Sequence, residues 1–208
     1  MKYIQLSLGV VSTNCYILYN NKKEALIIDP GAQAEVIFDA IREYDVKPLA
    51  VLLTHAHFDH IGAVSECIKK YDIPFYIHKK EKYWLTDGNR NGSILFGVGD
   101  IAVPETPIIF TEDKMEIGSF HFQILHTPGH SPGSVSFYFE NNSIVFAGDA
   151  LFQMSIGRTD LPFGNQETLE KSIKEKLYTL PGKTVVAPGH GPVTNIEFEK
   201  NNNPFVLG

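Results

Sequence analysis

The chain opens with short runs in which apolar and polar positions alternate. "YIQLSL", "CYILY" and "ALIID" have the period of half-buried strands. "DPGA", Asp29 to Ala32, breaks that pattern with turn formers. Residues 33–45 switch to a helical period, with Val36, Ile37, Ala40, Ile41 and Tyr44 on one stripe. "PLAVLLT" is apolar almost throughout and predicts a strand buried on both faces. A helix is expected over residues 60–70, with Ile61, Val64 and Ile68 in line, followed by a short strand at "PFYIH".

The middle of the chain changes character. "TDGNRNGSILFGVGD", Thr86 to Asp100, is rich in glycine and turn formers and reads as a long excursion, a lid or one wall of a pocket. Strand and hairpin signals return in "IIFTEDKMEI", "FHFQILHT" and "SVSFYFENNSIVFAGD", with a tight turn at Asn141–Asn142. Residues 165–179 predict a helix carrying Leu169, Ile173 and Leu177, and "KTVVAPGHGP" predicts a last strand running into a loop. The order of elements suggests an α/β (α+β) chain with two sheets packed together and helices outside.

Length and composition narrow the picture. A chain of 208 residues fits one domain, 1–208, with a substantial core. The net charge of −6 argues against a nucleic-acid partner, which a basic face would signal. No window is long and apolar enough for a membrane span, so no membrane is expected. "MKYIQLSLGVVS" reads as a strand rather than a signal peptide. Cys15 and Cys67 are far apart and make no CxxC motif. They read as small core hydrophobes, and a cytoplasmic location follows.

The candidate chemistry sits where apolar runs give way to turns. His55, His57, Asp59 and His60 follow "AVLL"; His130 lies in "HTPGHSPGS"; Asp149 ends "SIVFAGD"; His190 lies in "VVAPGHGP". Imidazole and carboxylate are the ligands of zinc and iron. His55 and His57, two residues apart in an extended segment, face one side and can reach one ion. Asp59 and His60 serve a second ion if the chain turns there. The seven groups exceed what one tetrahedral ion uses and suit two ions sharing a carboxylate. His78 and His121 read as surface or core residues, and His126 as a strand-end residue or a brace behind the ligands.

"HAHFDH" resembles the HxHxDH signature of the metallo-β-lactamase superfamily. "HTPGHSPGS", "FAGD" and "PGHGP" match its later motifs in order, and "LIIDPG" is similar to its opening aspartate motif. The resemblance runs from about residue 10 to residue 195. It implies a four-layer αββα sandwich. It assigns His55, His57 and His130 to one metal, and Asp59, His60 and His190 to the other. Asp149 bridges them, and Asp29 orients ligands without binding metal.

The implied cofactor is two divalent ions, with zinc the first expectation and iron or manganese also suiting such ligands. "GDALFQMSIGRTDLPFG" is similar to the hydroxyacylglutathione hydrolase (glyoxalase II-type) group, which implies a small-molecule thioester such as S-lactoylglutathione as substrate. Asp59 is also the residue that would aim the attacking water. Many true β-lactamases of the superfamily carry cysteine where this chain has Asp149. Full-length glyoxalase II proteins grip glutathione with a C-terminal helical region, whose basic and tyrosine contacts are not carried over to the run ending in "EKNNNPFVLG". Arg158 and Asp160 in "GRTD" read first as a salt bridge shaping the loop after Asp149. The rivals are a persulfide dioxygenase of the same superfamily, with one iron on His55, His130 and Asp149, a lactonase or other ester hydrolase, and a metal-binding module without turnover. The oligomeric state leaves no mark in the sequence.

Overall fold

A computed structural model describes every residue except Glu112, which falls in the predicted run "IIFTEDKMEI" and lies outside the described residues. The chain divides into two compact units, Met1–Phe110 with Ile117–Phe120, and Thr111–Glu116 with His121–Gly208.

The first unit is built on a six-stranded mixed sheet in the order β1-β2-β3-β4-β5-β6. Its strands are β1 (Lys2–Leu8), β2 (Thr13–Tyr19), β3 (Glu24–Ile28), β4 (Lys47–Leu52), β5 (Phe75–Ile77) and β6 (Ile108–Ile109). β1 and β2 form an antiparallel hairpin, whereas β3 to β6 run parallel. Helix α1 (Ala34–Glu43) buries Ile37, Ala40 and Ile41 of the stripe read from the sequence and adds Phe38, whereas Val36 and Tyr44 of that stripe are exposed. Full burial of each large apolar side chain stabilises by about 1.5–3 kcal/mol.

The helix expected over 60–70 is two pieces, α2 (Phe58–Ile61) and α3 (Val64–Tyr71). The interruption has a tertiary cause. The Ala63 N–H donates to the Pro30 carbonyl at 2.9 Å, and a methyl on Gly62 would stand 2.3 Å from the Gly31 carbonyl oxygen. The "DPG" turn is thus docked into the break.

The second unit carries another six-stranded sheet in the order β14-β13-β10-β9-β8-β7. These are β7 (Lys114–Ile117), β8 (Phe120–His126), β9 (Val135–Phe139), β10 (Ile144–Gly148), β13 (Val185–Pro188) and β14 (Thr194–Asn195). A small ribbon of β11 (Leu151–Phe152) and β12 (Ser155–Ile156) follows β10. The turn expected at Asn141–Asn142 joins β9 to β10, with Phe139 opposite Ile144 and Ser143 at φ 49°.

The predicted helix over 165–179 begins as α4 (Gln166–Ser172), capped by the Asn165 side chain. It continues as a π-helical turn through Ile173–Leu177. Leu169, Ile173 and Leu177 nevertheless all reach the core, beside Val145, Ala147 and Val186. The last helix, α5 (Ile196–Asn202), is capped by Asn195. Among the described residues no helix is long and apolar enough to cross a membrane.

Candidate metal centre

In the first unit the candidate ligand loop begins where β4 ends. The chain stays in sheet pairing through Leu53, whose N–H donates to the Tyr76 carbonyl at 3.0 Å, and then turns. His55 and His60 are completely buried, His57 is 5% exposed, and Asp59 keeps a partly open side chain. The rings of His55 and His57 lie 4.8 Å apart, and those of His55 and His60 lie 4.1 Å apart. The sequence expectation that His55, His57, Asp59 and His60 gather in one place is met within this unit.

Asp29 organises the cluster from beneath. It is 2% exposed, and its backbone sits at φ 49°, a left-handed conformation that costs a non-glycine residue about 1–3 kcal/mol. Its carboxylate accepts from the Thr54 N–H at 2.8 Å, from the Thr54 hydroxyl at 2.6 Å and from His60 Nδ1 at 2.9 Å. Because the Thr54 hydroxyl proton goes to Asp29, the contact of 3.1 Å between Thr54 Oγ1 and His55 Nδ1 is donated by the histidine. One buried carboxylate therefore sets the tautomer of two histidines and leaves the lone pair on Nε2 of each. Outer hydrogen bonds of this kind are what metal-binding imidazoles use.

Three further braces were not legible from the motifs. Thr13, at the start of β2, donates its hydroxyl to Asp59 Oδ2 at 2.7 Å. Glu81, fully buried, accepts from the Ala56 N–H at 3.1 Å, between His55 and His57. Asn91 accepts the Phe58 N–H at 2.9 Å with its carbonyl, and its side chain donates to the Ile101 carbonyl at 2.8 Å. The excursion over residues 86–100 is thus tied to the ligand loop at Asn91.

In the second unit three strand ends supply His130, Asp149 and His190. His130 follows β8 in a loop closed by Gly129 N–H to Ser131 O and by Ser131 Oγ to Ser134 Oγ at 2.7 Å. His126 Nε2 lies 3.1 Å from the Pro132 carbonyl, so that residue braces the His130 loop. Asp149 emerges just past a register shift between β10 and β13. His190 lies two residues beyond β13, with its ring 6.0 Å from that of Phe152. His130 Nδ1 donates to the Arg158 carbonyl at 2.8 Å, which again leaves the lone pair on Nε2.

The spacing of the donor atoms fits metal ligation. Asp149 Oδ2 lies 3.4 Å from His130 Nε2 and 3.5 Å from His190 Nε2, and in the first unit Asp59 Oδ2 lies 3.4 Å from His60 Nε2. Strong charge-assisted hydrogen bonds are shorter, about 2.7–2.9 Å. Two ligand atoms each about 2.1 Å from a tetrahedral ion are about 3.4 Å apart. All seven His and Asp residues are candidate ligands by type and setting.

Arg158 presents its carbonyl to His130, while its guanidinium turns to Asp160 in a bidentate pair at 2.8 and 2.7 Å. Hydrogen bonding from Arg158 holds the Asp160 carboxyl at about 2, below its ordinary range. The salt bridge read from "GRTD" is present, and it is exposed.

The profile of the Metallo-beta-lactamase superfamily matches residues 8–190. "Probable metallo-hydrolase YqgX" of Bacillus subtilis is 49% identical over 100% of this chain and 99% of its own. "Hydroxyacylglutathione hydrolase GloC" of Haemophilus influenzae is 36% identical over 93% of this chain and 92% of its own. Among solved structures, the BLEG-1 B3 metallo-beta-lactamase has a TM-score of 0.96 at 47% identity and covers 100% of both chains. TTHA1623 in a di-iron-bound form has a TM-score of 0.86 at 38% identity, covering 98% of this chain and 100% of its own. These likenesses bear out the α/β fold class expected from the strand and helix pattern. With the aspartate turn, the HxHxDH loop and the later His and Asp motifs all in their places along the sequence, the chain belongs to the metallo-β-lactamase superfamily, a fold that binds divalent metals.

Proposed function

We propose that this chain is a binuclear metal-dependent hydrolase that cleaves a small-molecule thioester. In this reading His55, His57 and His130 hold one ion, Asp59, His60 and His190 hold the other, and Asp149 is shared. The observation that carries the reading is Asp149, whose single oxygen Oδ2 stands at ligand-to-ligand spacing from both His130 and His190. A carboxylate so placed suits two ions better than one. When bound, a pair of divalent ions lowers the pKa of a water toward neutrality and polarises a carbonyl oxygen.

The chain's own residues do the rest. Asp29, directly at His60 and through Thr54 at His55, orients both rings with Nε2 forward, and the Arg158 carbonyl does the same for His130. The Thr13 hydroxyl donates to Asp59 and fixes its rotamer, and in this reading that carboxylate accepts a hydrogen bond from the attacking water and aims it. A thiolate leaving group, with a thiol pKa of about 8.5, asks little of a general acid. The set contains no dedicated acid, and thioester cleavage needs none. The similarity to GloC, a hydroxyacylglutathione hydrolase by name, supports the same substrate class. The free, buried thiols of Cys15 and Cys67 support a reducing, cytoplasmic setting.

Metal analysis of the purified protein, run beside a thioester hydrolysis screen, tests the proposal. Two ions per chain with release of free thiol are expected. One iron per chain, with oxygen uptake and sulfite formed from glutathione persulfide, would replace it with the dioxygenase. A second reading, β-lactam hydrolysis, is favoured by the likeness to the BLEG-1 B3 metallo-beta-lactamase. Opening of a chromogenic cephalosporin faster than any thioester would promote that reading to first place.

A further inference from the structure

Beside the ligand loop of the first unit lies a pocket of about 200 Å³. Leu8, Val10, Val11, Phe58, Val98 and Ile101 supply most of its lining, and Asp59 is its one charged member. Val10 is 84% exposed, Val11 40% and Val98 38%, so three aliphatic side chains face solvent around one hollow. Contiguous exposed apolar surface of this kind marks a binding site more often than a defect. The hollow combines contributions from two places. The β1–β2 turn brings Val10 and Val11, and the 86–100 excursion, pinned through Asn91, brings Val98.

We infer that this pocket takes the acyl group of the substrate, and that the preferred acyl group is a hydrocarbon larger than lactoyl. The inference rests on the thioesterase reading above and refines it. Three observations point to the acyl side. The lining has no cation and includes one carboxylate, so a thiol component such as glutathione, with two carboxylates and an amine, finds repulsion and desolvation there. It offers a lactoyl hydroxyl only Asp59, a proposed metal ligand already bonded to Thr13. Its volume exceeds the roughly 150 Å³ of an apolar cavity that holds benzene, so a phenyl ring or a chain of about six carbons fills it. The chemistry is redox-neutral. Water adds its oxygen to the carbonyl carbon, the C–S bond breaks, the thiolate takes up one proton from that water, and the other proton is released to solvent, leaving a carboxylate and a thiol.

Metal-loaded protein is assayed on the lactoyl, acetyl, butanoyl and hexanoyl thioesters of glutathione, and on hexanoyl thioesters of a second, uncharged thiol. The kcat/KM is expected to rise about fourfold per methylene, the equivalent of about 0.8 kcal/mol for each CH₂ buried. Val11→Asp and Val98→Asp are each expected to cut the hexanoyl-to-acetyl ratio at least tenfold. Both positions are partly exposed, so folding tolerates the change. In parallel, binding of straight-chain carboxylates from acetate to octanoate is measured by calorimetry, with affinity rising with length to about hexanoate. Turnover that ignores acyl length, or that follows the thiol alone, overturns the pocket assignment and leaves the thioesterase standing. Carboxylate affinity that rises with length and falls in Val11→Asp, without cleavage of any thioester, keeps the pocket and removes the thioesterase. Absence of both effects removes both.

Discussion

The two units offer their candidate ligands in different ways. In the first, four candidate ligands come from one stretch, His55 to His60, almost wholly buried and braced by side chains: Asp29, Thr54, Glu81 and Thr13. In the second, three candidate ligands come from three strand ends, the His190 side chain is 27% exposed, and the brace on His130 is a main-chain carbonyl. A contiguous ligand loop is crowded, so single side chains hold several ligands at once and single substitutions reach far. Ligands spread over separate strands are held by the sheet, and the side chains around them matter less. The first cluster should therefore be the more fragile to mutation.

The sharpest test uses two glycines packed against the backbones of candidate ligands. A methyl on Gly31 would stand 1.6 Å from the Asp59 carbonyl oxygen, and one on Gly157 would stand 1.9 Å from that of Asp149. Overpacking of this kind costs about 1–3 kcal/mol and occasionally more. Gly31→Ala should sit at or above the top of that range and Gly157→Ala below it, read from urea midpoints at constant slope. Equal losses would erase the contrast.

Next in size is Asp29→Asn, which disturbs His55 and His60 together. Removing such an outer partner typically lowers metal affinity about 10- to 100-fold. Competition with a chromophoric chelator measures it. Arg158→Ala, which keeps the carbonyl on His130, should change affinity less than about twofold by the same logic. An Arg158→Ala loss as large as that of Asp29→Asn would show that the second cluster also depends on side chains.

Glu81→Gln preserves the shape of the brace at Ala56 but removes its charge. The expected cost is about 1 kcal/mol, because a charge-assisted hydrogen bond is roughly twice as strong as a neutral one. Thermal melts of the metal-free protein report it.

The smallest effect is pH-dependent and belongs to the second unit. Asp160 is held at about 2, chiefly by hydrogen bonding from Arg158. A depressed carboxyl stabilises the fold above its ordinary value and loses that contribution as pH falls toward the folded value. The melting-temperature gap between the metal-free parent and Asp160→Asn should be small and flat from neutrality to about pH 5, and shrink below about pH 4. A gap that widens on acidification would reverse the assignment.

Much of this molecule was legible before any coordinates. The strand and helix runs announced themselves by period, and the candidate ligands by their residue type at strand ends. The braces were hidden for a physical reason. Thr13 and Asp59 are 46 positions apart, and Glu81 lies 25 positions from Ala56, so neither contact leaves a local pattern. The split between α2 and α3 escaped because helical periodicity cannot register a carbonyl arriving from Pro30. The π-helical turn at Ile173–Leu177 kept its apolar residues on the core side, so the sequence read as an uninterrupted helix. Arg158 was legible as half of a salt bridge, whereas the task of its carbonyl was not, since every residue carries one.

Cys15 and Cys67 turn the interior of the first unit into a built-in reporter. Both are fully buried, and burial pushes the Cys67 thiol up to about 12 and Cys15 well above its usual value. At neutral pH about one Cys67 thiol in 10⁵ is ionised, and thiolate is the form that electrophiles attack. Alkylating reagents should therefore modify the chain only as fast as its interior opens, and their uptake becomes a clock for that opening. Comparison of that clock before and after chelation would read directly how far bound cations slow the exposure of this core.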